Sequence, residues 1–289
     1  MSERTRIEAR LRTLADIHEI MGALKNSAVI ETARLRRFVP AQQEMLNSIE
    51  TAAADFLSFH PEIAPDFEAD PVFIAVGAER GFCGDYNEAL LEPLAQAVGD
   101  APGTPPTVIV VGRRLAPLAQ RRVAVESAIE GPTVADEIPA AVERLAAALR
   151  ARQAKRATFL PLSLHVLHQD VEGHLTRVRH RRPFPTLARR DKPLPTPLRL
   201  QLPPQAMFEA LVEQYLFAAL HEMLYTALLA ENERRIQHLE GAMRRIERRR
   251  EELGTRRNVL RQEEITEEIE VILLGAGALD PSAATDALR

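Results

Sequence analysis

Residues 236–260 read IQHLEGAMRRIERRREELGTRRNVL. Leu239, Ile246, Leu253 and Leu260 recur every seventh residue and form one column on a helix. The companion column, Ile236, Met243, Arg250 and Arg257, starts apolar and turns basic toward its C-terminal end. A seam this narrow suits one partner helix rather than a bundle. The helical pattern extends outward from about residue 205 to about residue 275, and Ile265, Ile269 and Ile272 restart the stripe with a shifted phase, as at a stutter. A second helix is predicted over residues 3 to about 58, where Ile7, Leu11, Leu14, Ile17, Met21, Leu24, Ala28, Leu35 and Phe38 recur mostly at spacings of three, four and seven. Pro40 is expected to kink or briefly interrupt it, and His60-Pro61 to end it.

A helix rises 1.5 Å per residue, so about 70 residues span roughly 105 Å. A compact chain of 289 residues would have a radius of gyration of roughly 19 Å. The C-terminal helix is therefore expected to project from any globule this chain could form. Only the N-terminal helix is long enough to cover its stripe, so an antiparallel coiled coil of the two is expected.

The middle of the chain has another rhythm. PVFIAV, PTVIVVG and ATFLPLSLHVLH are short, β-branched apolar runs, separated by helical stretches from Tyr86 to Val98 and from Thr133 to Arg152. That alternation predicts a Rossmann-like α/β domain with a largely parallel sheet. HLTRVRHR, at 174–181, offers a further strand, and the seven prolines of residues 183–204 read as an extended connector. The expected organisation is an N-terminal coiled-coil helix over 1–60, an α/β domain with its connector over 61–204, and a C-terminal coiled-coil helix with a short tail over 205–289.

Composition narrows the function. A net charge of −4 argues against a general nucleic-acid binder. The single cysteine, Cys83, permits neither an intrachain disulfide nor a Cys-based zinc site. No stretch reaches the length of a transmembrane helix, and MSERTRIEARLR has no apolar signal core.

GAERGFCGDYN, residues 77–87, joins the first apolar run to a helix start. Its glycines match neither a phosphate-binding loop nor the dinucleotide fingerprint. Cys83 has no His partner nearby in sequence, and Gly81 and Gly84 read as a structural turn. His165 and His168, three apart on a strand, face opposite sides and make a poor metal pair. No cofactor or metal is expected. Two other classes stay in view: a nucleotide-binding α/β enzyme, which needs a phosphate loop, and a stand-alone coiled-coil scaffold, which the polar seam at Arg250 and Arg257 opposes.

The stretch NVLRQEEITEEIEVILLGAGAL, residues 258–279, resembles the C-terminal motif of the gamma subunit of F-type ATP synthases through Asn258, Arg261, Gln262, Ile265, Thr266, Glu268, Ile269, Gly275, Ala276, Ala278 and Leu279. Arg80, Gly81, Phe82, Cys83, Gly84, Tyr86 and Asn87 resemble the family's glycine-cysteine loop, with Glu79 in place of its aspartate. Ile20, Ala23 and Leu24, and then Glu231, Arg235, Ile236, Leu239 and Ala242, look like two further family motifs. The missing N-terminal lysines, and the arginines with Met243 and Ile246 where small residues are usual, mark a divergent branch, the alternate type being one candidate.

The resemblance implies a non-catalytic rotor shaft that couples ion flow to ATP synthesis or hydrolysis on other chains. It implies contact with a hexameric ring of alpha and beta subunits, with an epsilon subunit and with a membrane c-ring, at the cytoplasmic face of the bacterial inner membrane. Carried onto this chain, Arg261, Gln262 and Thr266 are candidates for hydrogen bonds to the ring, and Arg80 for a transient contact. Leu24 either faces the ring's lever loop or packs in the coiled coil. Ile269 and Ile272, with Leu273, either pass through an apolar collar or pack against the N-terminal helix.

Overall fold

The computed structural model describes residues 3–63, 71–101, 106–154, 163–173, 175–183 and 199–277. Most of the proline-rich connector, and Ala278, Leu279 and the tail after them, lie outside the described residues. The chain divides into two compact units, Lys25–His238 and Met1–Leu24 with Leu239–Arg289.

The larger unit is built on a five-stranded sheet of β1 (Pro71–Val76), β2 (Thr107–Val111), β3 (Ser127–Ile129), β4 (Ser163–Glu172) and β5 (Leu175–Arg181). The order is β3-β2-β1-β4-β5. Pairing is parallel except between β4 and β5, where a short turn returns the chain antiparallel. All six residues of β1 are buried, as a central parallel strand covered on both faces requires. Phe73 and Ala75 pack with Val108, Val110 and Leu167 against Leu90 and Leu94 of α2 (Glu88–Gly99). On that side lies also α3 (Ala116–Ala119). Val72, Ile74 and Val76 face the opposite layer, with α4 (Ile138–Ala154) and segments of the first and last helices.

Those terminal helices are α1 (Glu3–Phe59) and α5 (Pro204–Gly277). Within the larger unit α5 starts with one face exposed, at Glu209, Ala210, Glu213, Gln214 and Phe217, and from Glu222 to Asn232 every residue is buried. An amphipathic stripe would leave one face in water. Here the stretch MLYTALLA, residues 223–230, has the continuous apolar character of a helix enclosed on all sides. Small side chains at Ala218, Ala219, Ala227 and Ala230 are all buried there. α1 runs through Pro40 without the brief interruption that was one of the two expectations there. Pro40 and Arg36 lie on the exposed face, so the carbonyl that loses its N–H partner meets water.

In the smaller unit the two helices pair antiparallel. Arg4 bonds Glu264 at 2.6 Å, Arg256 bonds Glu3 at 2.5 Å, His18 meets Glu247 at 3.0 Å, and Gly22 faces the end of Met243. Ile7, Met21, Leu239 and Leu253 are its buried apolar residues. Ile246 and Leu260, also in the leucine column, are half-buried, as are Arg250 and Arg257 beside it.

Candidate functional site

The loop after β1 turns its polar groups inward. The Ala78 N–H donates to Asn87 Oδ1 at 2.8 Å, which ties the loop's start to its end. Glu79 follows, with a side chain only 2% exposed. Its carboxylate accepts the backbone N–H groups of Arg113 and Gly131, both at 2.9 Å, and pairs with the Arg113 guanidinium. A second carboxylate arrives from α5. Glu231 accepts the backbone N–H of Glu79 at 3.2 Å and of Arg80 at 3.4 Å, and forms a buried ion pair with Arg235. The Arg235 guanidinium also donates to Asn232 Oδ1 at 2.8 Å and to the Gly81 carbonyl at 3.2 Å. The buried Tyr86 hydroxyl donates to the Ala227 carbonyl at 2.9 Å, and Asp85 pairs with Arg234.

Burial pushes the Glu231 carboxyl above its ordinary range, while the Arg235 charge pulls it back down. Burial, with Glu231 nearby, pushes the Cys83 thiol up to about 12. Its S–H is directed at the carbonyls of Arg80 and Gly81. Such a sulfur stays a neutral thiol near neutral pH, which excludes a thiolate nucleophile.

The turn's geometry rests on particular residues. Gly84 has φ 62°, and Phe82 has φ 66° with its ring exposed. Gly112, at φ 112°, lies so close to the loop that a Cβ there would stand 2.6 Å from the Gly77 carbonyl oxygen. Gly81 lies outside the left-handed region, and a Cβ there would touch the Arg114 guanidinium at 3.6 Å, an ordinary van der Waals contact.

In open α/β sheets, ligands sit beyond the carboxyl ends of the strands where the strand order reverses. Here that point lies between β1 and β4. Its backbone donors are occupied by the protein's own carboxylates, Glu79 and Glu231. Where a nucleotide enzyme would hold a phosphate, this chain fastens a helix to a sheet. The enzyme alternative loses its binding loop on these contacts.

The other sequence-selected residues lie on exposed surface. Arg80 is exposed; its backbone N–H is held by Glu231, and its charge acts on Glu137. In the smaller unit, Leu24 is 37% exposed. Arg261, Gln262 and Thr266 are exposed, and the Thr266 hydroxyl donates to the Gln262 carbonyl at 2.9 Å. From Ile269 to Leu274 every residue is exposed, Ile269 at 51% and Ile272 at 68%. Consecutive positions point in all directions around a helix, so no single partner face covers them. Packing of Ile269, Ile272 and Leu273 against the N-terminal helix, one of the two expectations, is not what the structure shows.

Sequence reasoning missed the anchoring roles of Glu79, Arg113, Glu231 and Arg235. Glu79 and Glu231 are 152 residues apart, so no local spacing links them. The available signal was an acidic residue directly after a buried strand end, where a carboxylate needs compensation.

Fold and site together define a class: a chain whose first and last helices pair antiparallel, carrying an α/β sheet whose ligand position is filled by internal anchors. The family model described as ATP synthase matches residues 3–279. The chain belongs to the ATP synthase family, and its relatives there are gamma chains, the non-catalytic subunit of the central stalk. The ATP synthase gamma chain of Desulforamulus reducens is 24% identical over 294 residues, covering 95% of this chain and 98% of that one. The same fold occurs in the rotor of the Euglena gracilis mitochondrial ATP synthase, with a TM-score of 0.56 and 15% identity over 91% of this chain and 98% of that chain. It occurs again in the central stalk of the Tetrahymena thermophila enzyme, with a TM-score of 0.52 and 12% identity over 77% of this chain and 99% of that chain. Among the described residues no helix is long and apolar enough to cross a membrane.

Proposed function

We propose that this chain is the central rotor shaft of a rotary F-type ATP synthase, turning within a hexameric ring of alpha and beta subunits and linked through an epsilon subunit to a membrane c-ring. The cytoplasmic face of the bacterial inner membrane is its proposed place, and the coiled-coil ends, residues 1–60 and 205–289, are its working surface. The observation that carries the reading is the exposed apolar cluster of Ile269 and Val271 to Leu274 near the end of α5, broken only by Glu270. Contiguous apolar surface of that kind marks an interaction site, and it directly follows the family motif of Arg261, Gln262 and Thr266.

The physical task explains the chemistry. Three equivalent ATP sites stay equivalent unless something asymmetric touches them unequally. Moving one site from 1:99 to 99:1 between two states takes roughly 5.5 kcal/mol of differential interaction. Exposed polar contacts contribute about 0.2–1 kcal/mol each, so packing of Leu24, Ile269 and Ile272 supplies most of it. Arg261, Gln262, Thr266 and Arg80 set where the shaft rests.

Expression with the ATPase genes of its own operon, followed by purification on a tag carried by this chain, tests the proposal. Two larger subunits should co-elute as a ring, with ATPase activity. Elution of the chain alone, with nucleotide bound to it, contradicts the proposal.

A further inference from the structure

β4 and β5 bring two histidines together that no local spacing joins. Leu167 of β4 lies opposite His180 of β5, and His165, two residues from Leu167, shares its face of the sheet. His165 Nδ1 lies 3.0 Å from His180 Nε2, and His165 Nε2 lies 3.3 Å from the Ser163 hydroxyl. Both rings pack toward Phe73 of β1, with centroids at 4.6 and 6.5 Å, which limits their rotation. Two proton patterns fit these hydrogen bonds, because the Ser163 hydroxyl can either accept from or donate to His165 Nε2. In a third arrangement, with protons on His165 Nε2 and His180 Nδ1, both facing nitrogens carry lone pairs and can ligate a cation.

We propose that His165 and His180 form a two-point site for a divalent transition-metal ion of the Cu²⁺ or Ni²⁺ class. Imidazole nitrogens bind such ions at about 2.0–2.1 Å. Two nitrogens 3.0 Å apart at that range subtend roughly 90–95° at the ion. That is the cis angle of a tetragonal or octahedral shell; a tetrahedral ion would hold them roughly 3.3 Å apart. Cu²⁺ also heads the affinity order for nitrogen ligands. Ser163 can accept the His165 Nε2 proton, which leaves Nδ1 as the ligating nitrogen, as an outer hydrogen-bond partner does in known metal sites. Among the described residues no cluster of three or more metal-ligating side chains occurs, so water completes the shell.

Electrostatics sets the conditions. Burial, and after it the nearby Arg182 charge, holds His165 down to about 4 and lowers His180 as well. Arg182 also opposes an added cation. The bound ion ties the edge strand β5 to β4.

Titration of the tag-free full chain with Cu²⁺, followed by calorimetry and electron paramagnetic resonance, tests the site. One site with superhyperfine coupling to two imidazole nitrogens is expected. His165→Gln or His180→Gln should weaken it at least about tenfold, since losing a ligand costs no less than losing an outer partner. Arg182→Gln should tighten it, and His221→Gln, on α5, should leave it unchanged. Equal affinity in the wild type and both ligand variants overturns the proposal. So does a wild-type spectrum with fewer than two imidazole nitrogens, which decides the matter even where a variant fails to fold.

Discussion

Arg235→Met should lower the unfolding free energy by about 3–5 kcal/mol. Arg235 and Glu231 are 6% and 4% exposed, so the substitution strands an uncompensated carboxylate in the interior. It also removes a donor from the buried Asn232 Oδ1, and leaves the Gly81 carbonyl with only the weak Cys83 S–H. The loss depends on pH in a direction the structure gives. Glu231 already sits above its ordinary range, and Arg235 is the first influence pulling it down. Without Arg235 it rises further, so the folded variant holds a proton more tightly than the unfolded chain. A raised folded value contributes stability that is present below the unfolded value and lost as pH rises through the folded value. The deficit relative to wild type should therefore be smaller at about pH 5 than at about pH 8. Urea unfolding at both values measures it. A double variant with Glu231→Gln should recover part of the loss, because the stranded charge is gone. A deficit under about 1 kcal/mol, of the size of one ordinary hydrogen bond, would mean that the pair does not anchor the loop.

Ile269→Asp with Ile272→Asp should leave the isolated chain as stable as before and abolish its assembly. At 51% and 68% exposure, these side chains contribute little to the fold, and surface changes of this kind stay within about 0.5 kcal/mol. Burying an isoleucine is worth about 1.5–3 kcal/mol, so two lost in a partner's apolar collar remove about 3–6 kcal/mol. At about 1.4 kcal/mol per decade that is at least a hundredfold in affinity. Thermal unfolding of the chain alone and co-elution with the alpha and beta subunits separate the two effects. Unchanged assembly would remove this helix end from the interface.

Much of this architecture could be read from residue order. The seven-residue column from Leu239 to Leu260 marks the pairing seam, and PVFIAV marks the central strand. Both signals are local and repeated. β3 passes unnoticed because three residues, Ser127–Ile129, hold no periodicity. The enclosed stretch of α5 is marked by the continuous apolar run of residues 223–230, which a search for periodic stripes passes over. Pro40 misleads because its cost depends on which face carries it. The loop 77–87 shows a turn in its glycines, but its purpose appears only when Glu231 arrives from the last helix. The exposed motif residues were legible solely through family resemblance, since an unpartnered arginine such as Arg261 looks like any solvated one. His165 became a candidate ligand through strand register, with His180 as its neighbour in place of His168.

The central claim is that this chain turns. With the alpha-beta ring fixed to a surface, a bead can be attached through a cysteine introduced at exposed Leu202. Cys83, buried and held as a neutral thiol, stays out of the labelling. On addition of ATP the account predicts stepwise rotation of the bead in one direction. ATP hydrolysis by the assembled ring with the bead stationary, while its attachment to this chain is verified, would contradict it.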